Sequence, residues 1–393
     1  MEQNIENIIV SIIAQYLMDD KEGMKKLVSF FLDRVMLEEA KMQVGAKAYE
    51  RTGSRKAHRN GYRQRSLKTR YGTIELKKPQ IREFPFETQV FDRYSRVERA
   101  TRNAIAESYV QGVSTRKIKE IVSHLGIEEL SAASVSNIAK ELDKEVEAFL
   151  KAPIEKEIRY LFIDATYFKI REHGHYSTQA VFVAIGVDED GYRRVLGVKV
   201  AMSESEAFWM DFFEEMKERG LRGVKLIISD GHSGIRKAVE KSFVGASWQM
   251  CHVHFMRIIT SKTPKKKWKW VTTKVKEALN SSDETKLEEL IEELEKAGLE
   301  KAARSVEKYR YDLFNYKAFP QSHWKRIRTT NVLERLNKEL KRRGRVVGAF
   351  PSVGSLIRLL GSVLSDQNEE WITGRRYLNM EIEKGLYQVL CIR

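Results

Sequence analysis

Cysteine is nearly absent: Cys251 and Cys391 are the only two in 393 residues. Two such thiols cannot build a disulfide framework, which points to a reducing, cytoplasmic compartment. Long apolar runs are missing too; none approaches the roughly 20 residues that span a bilayer. The first stretch, MEQNIENIIVSIIAQYL, is apolar at helical spacing, but it carries Glu2 and Glu6 and no basic n-region. It reads as an amphipathic helix and not as a signal peptide. There is no internal repeat and no low-complexity tract. An acidic surplus is lacking as well: the formal net charge is +15, which favours a polyanionic partner over a cationic one.

That positive charge is concentrated. Between Arg51 and Arg82, eleven Lys and Arg face one acid, Glu75. Six lysines and no acid lie between Lys262 and Lys274, and nine basic residues face two acids between Lys325 and Arg345. Asp283 to Glu307 is acidic by contrast and reads as a solvated helix pair. Basic stripes interleaved with Tyr62, Tyr71, Trp268 and Trp270 fit a nucleic-acid partner. Candidate phosphate and base contacts on or beside them are Arg59, Arg63, Arg65, Arg257, Trp268, Arg328, Arg335, Arg342 and Arg343.

The periodicity changes several times. Residues 1–50 read as two helices with a polar break near Asp19–Glu22. Residues 51–96 read as a basic β-ribbon, with turn signals at Asn60-Gly61 and Tyr71-Gly72 and an alternating strand over Thr73–Lys77. Residues 97–152 read as a helix-turn-helix. Ser114 caps one helix that ends near His124, with Leu125-Gly126 as its stop, and Ser131 caps a second running to about Leu150. Ser134, Ser136, Asn137 and Lys140 would then face DNA, although a plain helical hairpin has the same pattern.

From residue 153 to 256 strands alternate with helices: 158–164, 180–188 and 193–201, a helix over 206–220, a strand over 224–230, a short helix from Ser233, and a fifth strand over 247–254. The Glu189-Asp190-Gly191 turn joins the second and third strands. This order describes a mixed α/β fold. Residues 257–323 read as all-helical, and 324–393 as helical after a strong helix at 328–344 with Thr330 as cap and Gly344 as stop.

Three acids stand out. Asp164 ends the first buried strand, Asp230 ends the fourth, and Glu334 lies one turn into the late helix. If they meet, their mutual repulsion calls for cations. Mg²⁺ suits few carboxylates with phosphate and water oxygens, and a pair of such ions serves phosphodiester chemistry. Gly231 and Gly234 would keep the backbone slim there. Plainer readings exist for each acid: Asp230 as a helix cap, Asp164 as a turn former, and Glu334 as an i,i+4 partner of Lys338.

Seven blocks carry a resemblance, in this order: RNGYRQR, QGVSTRKI, LFIDATYFKIRE, SESEAFWMDFFEEMKERGLRGVKLIISDGHSGIRKAV, WQMCHVHFMR, RTTNVLERLNKELKRR and GAFPSVGSL. Over nearly its whole length the chain resembles the Mutator-type bacterial insertion-sequence transposases. The resemblance implies a ribonuclease-H-like core, a mixed five-stranded sheet with helices on both faces, interrupted by an all-helical insertion before its last acid. The gaps of 66 and 104 residues between the acids leave room for that insertion.

It further implies that Asp164, Asp230 and Glu334 are the catalytic and metal-binding residues of a DDE enzyme, with two Mg²⁺ ions that Mn²⁺ can replace. The implied activity cuts double-stranded DNA at the element's terminal inverted repeats and joins the freed 3′ hydroxyl to target DNA. A homodimer or larger assembly would hold two ends. Cys251 and His254 match the family's Cys-x-x-His motif. A zinc site needs about four ligands and no partner pair is visible, so a structural or phosphate-proximal role is expected. Ile258 departs from the Asn usual after the arginine of HFMR. In related transposases an insertion-domain tryptophan stacks on an unstacked base, a role open to Trp268 or Trp270 beside simple core packing. A metal-dependent nuclease and a DNA-binding regulator descended from a transposase are the alternative functions.

Overall fold

The computed structural model describes residues 20–381 apart from 48, 70, 91–98, 125–130, 173 and 282–284, together with 10, 11, 13, 14 and 18. The chain forms two compact units, residues 1–142 and 143–393.

In the first unit, helix α1 (Asp20–Val44) packs on a ribbon of β1 (Arg59–Thr69) and β2 (Gly72–Ile81). Met36, Ala40 and Val44 meet Leu67, Ile74 and Leu76, which gives the ribbon the apolar backing a two-stranded hairpin needs. The helix starts at the expected polar break; most of the segment before it lies outside the described residues. The ribbon turns at the Tyr71-Gly72 signal, with Thr69 paired to Gly72. Asn60-Gly61 is not a turn: it sits inside β1, where the register shifts between Arg59 and Tyr62 and Gly61 takes φ +75°.

Three further helices, α2 (Arg99–Val110), α3 (Thr115–His124) and α4 (Ala132–Ala139), enclose Ile105, Ile118, Val122, Val135 and Ile138. Ser114 and Ser131 cap α3 and α4 as expected, accepting from the amides of Lys117 and Ser134. The Leu125-Gly126 stop lies outside the described residues. The second helix does not run to Leu150. It ends at Ala139, and α5 (Leu142–Lys151) begins after a break at Lys140–Glu141. The reason is a change of allegiance: Asp143 and Val146 of α5 pack into the second unit against Arg358 and Gly361.

The second unit is built on a five-stranded mixed sheet ordered β5-β4-β3-β6-β7. Its strands are β3 (Ile158–Glu172), β4 (His175–Asp188), β5 (Arg193–Ala201), β6 (Leu226–Ser229) and β7 (Ser247–Met250). The first three form an antiparallel meander; β6 and β7 run parallel to β3. Helices α6 (Glu206–Glu218) and α7 (Ser233–Ser242) separate the last strands. Trp209 of α6 stacks on Phe182, and Tyr160, on the opposite face, meets Phe319 and His323, so both faces are covered.

Two strand ends differ from expectation. β3 does not stop at Asp164: Thr166, Phe168 and Ile170 are buried while Tyr167, Lys169 and Arg171 are exposed, an alternation that carries the hairpin with β4 eight residues further. β7 stops at Met250 and not at 254, because α8 (His252–Ser261) starts with Cys251 at its cap.

The rest is helical: α9 (Trp268–Asn280), α10 (Thr285–Lys296), α11 (Glu300–Tyr309) and α12 (Gln321–Ile327), then α13 (Asn331–Val347) and α14 (Val353–Thr373). The acidic stretch forms α10 and α11, which are amphipathic and bury Leu287, Leu290, Leu294, Ala302 and Val306. Gly344 does not end α13. It lies inside the helix where a Cβ would come 2.7 Å from the Phe168 ring, and Gly348, at φ +75°, is the stop. The tail is only partly helical, since α14 ends at Thr373.

Candidate active site

β3 and β6 share a parallel ladder whose last pair is Phe162 with Ile228. Asp164 and Asp230 each lie two residues beyond that pair. Side chains alternate along a strand, so Asp164 shares the face of Phe162, and Asp230, the residue just past the end of β6, is near enough for its charge to act on Asp164. Adjacent strands lie about 4.8 Å apart, so the ladder delivers two carboxylates to one sheet edge. Asp164 is buried, and Asn337 of α13 donates to its Oδ2 at 2.8 Å. Asn337 is three residues after Glu334, hence on the same face of the helix as Glu334.

The start of α13 is tied to the start of α8. Thr330 holds the expected cap position, but its side chain does not cap; its amide and hydroxyl both reach Cys251 Sγ at 3.3 Å. The same hydroxyl is 3.4 Å from His254 Nδ1. His254 Nε2 is 3.9 Å from Glu334 Oε1, and Arg257 lies 2.8 Å from that oxygen. The Arg257 approach is close in distance but off the hydrogen-bond direction, which leaves Glu334 Oε1 enclosed and unsatisfied.

His254 is the hub. Burial pushes its pKa down, yet the hydrogen bond and charge of Cys251, with the charges of Asp164 and Asp230, raise it to about 9. Asp164 is pushed up to about 6: burial acts first, His254 opposes it, and Asp230 and Glu204 add to it. Burial raises the Cys251 thiol, but His254 and Thr330 outweigh that and its pKa falls. Buried Cys251 and partly exposed His254 thus form a polar pair coupled to the acids. Lys338 is not an ion-pair partner of Glu334; Arg257 takes that place. Asp230 does not cap α7 either, since His232 is the cap and accepts from Gly234.

Gly231 and Gly234 make room for protein neighbours. A Cβ at Gly231 would meet Tyr309 Oη at 2.6 Å, and one at Gly234 would meet the Glu206 amide at 3.0 Å. Glu204, just before α6, was not legible as part of this cluster. It accepts from Tyr167 Oη at 2.8 Å, lies 3.5 Å from His232, and leaves Oε1 enclosed without a hydrogen bond. Burial, then the charge of Asp230 against Tyr167 and His232, raises its pKa. A usable signal was the pair of acids in SESE directly before a capped helix.

The basic candidates divide. Arg342 and Arg343 both grip Glu339, whose pKa drops to about 2, so they serve the helix surface. Arg328 contacts Asn280 at 3.4 Å, while Arg335 is exposed. Trp268 and Trp270 open α9 and remain 42% and 37% exposed, which excludes full core packing. Trp268 Nε1 donates to Thr263 O. In the first unit, Arg59 donates to Ala46 O, whereas Arg63 and Arg65 line an open cleft of about 770 Å³ with Lys78 and Gln80. Asn137 and Lys140 are exposed at the end of α4, and Ser136 is half-buried.

Carboxylate oxygens are the hard donors that Mg²⁺ takes. The enclosed, unsatisfied oxygen of Glu334 and the raised pKa of Asp164 fit a cation at this edge. Among the described residues no three His, Cys, Asp or Glu side chains already stand as a metal cage, the positive charge being supplied by His254 and Arg257. No helix among the described residues is long and apolar enough to cross a membrane.

Fold and site together define a two-unit protein with a basic ribbon in one unit and an acid-edged mixed sheet in the other. The description "Transposase, Mutator family" matches residues 2–374, and the chain belongs to that family. It is similar to the transposase for insertion sequence element IS256 in transposon Tn4001 of Staphylococcus aureus, 38% identical over 95% of this chain and 97% of that protein. It is also similar to the transposase for IS1081 of Mycobacterium tuberculosis, 38% identical over 96% of this chain and 91% of that protein. A third relative, the transposase for ISRM5 of Rhizobium meliloti, is 37% identical over 94% of each chain.

Proposed function

We propose that the chain cuts DNA at the terminal inverted repeats of an insertion sequence and joins the freed ends to target DNA, with Asp164, Asp230 and Glu334 as its catalytic acids. The observation that carries this reading is the matched two-residue step of Asp164 and Asp230 past the Phe162–Ile228 pair, faced by the helix of Glu334. The strand order, with the third strand outermost and the first central, is consistent with a ribonuclease-H-like core.

The three carboxylates would hold Mg²⁺. Such ions, when bound, activate the attacking oxygen and stabilise the leaving one. The chain's own groups do the positioning. Asn337 fixes one oxygen of Asp164 and leaves the other for a ligand. His254 offsets the negative charge of the cluster while no cation is bound. Arg257, exposed along most of its length, can exchange Glu334 for a DNA phosphate. In the first step water oxygen bonds to phosphorus and the 3′ oxygen leaves. In the second, that 3′ oxygen attacks a target phosphodiester and displaces its own 3′ oxygen.

In this reading the ribbon and the α3–α4 pair, acting as a helix-turn-helix, recognise the element ends through Arg63, Arg65, Asn137 and Lys140, and a homodimer or larger assembly pairs two ends. The test is incubation of purified protein with end-bearing duplex and Mg²⁺, products being read at nucleotide resolution. Joined strands are expected, and Asp230→Asn should abolish both cutting and joining. Cutting that survives Asp230→Asn would refute the acid assignment, and cutting without joining would make the protein a nuclease.

A further inference from the structure

A second cluster of charge, of opposite sign, lies elsewhere in the same unit. Arg193 opens β5 opposite Val187, level with Tyr160 and four residues down β3 from Asp164. Its guanidinium lies 4.5 Å from the Trp371 ring of α14 and 4.9 Å from the Tyr377 ring. Arg326, in the last turn of α12, lies 4.6 Å from the same Tyr377 ring. Arg335 of α13 acts through its charge on both Arg193 and Tyr377. Two guanidiniums from separate elements therefore lie against one tyrosine, and the charge of Arg335 is felt by both Arg193 and that tyrosine.

Among the described residues none of the three arginines stands within ion-pair distance of a carboxylate. Arg193 Nε is shut off from solvent and has no hydrogen-bond partner. Burial lowers the Arg193 pKa; the charges of Tyr377 and Glu370 oppose this, and those of Arg326 and Arg335 add to it. Glu370 itself takes Gln367 at 2.6 Å. Aromatic faces offset part of the repulsion among the cations. They leave the N–H edges of the guanidiniums unused, and those edges match a phosphate.

We infer that Arg193 and Arg326, with the neighbouring charge of Arg335, form a phosphate-binding site that grips the backbone of a nucleic-acid strand beyond the phosphate that the three acids would process. This rests on the DNA-processing reading above and adds a contact it does not contain. Arg342 and Arg343 are the contrast: equally basic in sequence, but both hydrogen-bonded to the carboxylate of Glu339.

The experiment measures binding of full-length protein to a fluorescent duplex across a salt series. Removing one phosphate contact lowers the slope of log K against log salt by about 1 and weakens binding about eightfold at 0.1 M salt. Arg326→Gln and Arg335→Gln, both at exposed positions, should each show this, and Arg326→Lys should not. Lys301→Gln, at an exposed position of α11, should leave the slope unchanged. Unchanged slopes in both arginine variants, or an equal fall in Lys301→Gln, would overturn the site. Asp230→Asn separates the two readings: it should bind with the parental slope and not cut. If it cuts, the acid assignment fails while the phosphate site still stands or falls on its slopes.

Discussion

Asn337 donates a 2.8 Å hydrogen bond to Asp164 across 173 residues of sequence. It is the direct tie between the helix of the third acid and the strand of the first. Partners of this kind are worth about 10–100-fold in metal affinity or activity. Asn337→Ala should slow strand cutting by about tenfold in a single-turnover assay while DNA affinity stays at the parental value. Asn337→Asp should do worse, because it sets a second carboxylate against Asp164.

Gly361 of α14 stands where a Cβ would come 2.3 Å from Val146 Cγ1. Gly361→Ala should therefore lower stability by about 1–3 kcal/mol, the usual cost of overpacking. Adding Val146→Ala should return part of that loss, and chemical denaturation of the two single variants and the pair checks it.

His252 is buried and Nε2 bonds to Leu313 O at 2.8 Å. Burial above all, with Arg328 and Lys317, depresses its pKa to about 4 against the pull of the Leu313 bond. The ring is thus neutral in the fold, and its charged form is favoured in the unfolded chain. Stability from this group is complete above the unfolded pKa of about 6.5 and is lost as pH falls towards 4. Between pH 7 and pH 5 it should contribute a loss of about 2 kcal/mol. Denaturation midpoints at the two pH values should show this drop, and His252→Gln should be flatter by a similar amount.

Arg358, nearly enclosed in α14, takes both oxygens of half-exposed Asp143 at 2.6 and 2.8 Å. The two ends of this bridge are unequal. Asp143→Ala removes the bidentate carboxylate from a nearly enclosed cation and should cost roughly 2–3 kcal/mol, the range of charged hydrogen bonds. Arg358→Leu leaves only a carboxylate that water can reach, so its cost should be smaller. Equal losses in urea denaturation would contradict the asymmetry.

What the sequence revealed follows from how local each feature is. Continuous apolar runs such as Leu226–Ile228 announced the central strands, and Asp164 and Asp230 stood out at their ends. The far half of β3 was hidden because Tyr167, Lys169 and Arg171 face outward and dilute the apolar signal. Gly344 looked like a helix stop because its purpose, space for Phe168, depends on a strand 176 residues earlier. Glu204, Arg193 and Arg326 were invisible for the same reason: their meaning comes from neighbours that folding alone supplies. The division among the arginines was equally hidden, since Glu339 decides it.

The long hairpin of β3 and β4 has a structural consequence for the third acid. Lys169 O accepts from the Phe350 amide and Arg171 N donates to Phe350 O, so the hairpin's flank pegs the chain just after α13. Phe168 fills the notch at Gly344 beside that peg. Glu334 is therefore stationed from its carboxyl-terminal side as well as by Thr330. The helical stretch between α8 and α12 can therefore lengthen or shorten with little displacement of the carboxylate that follows it, because Glu334 is held by residues on either side of that stretch.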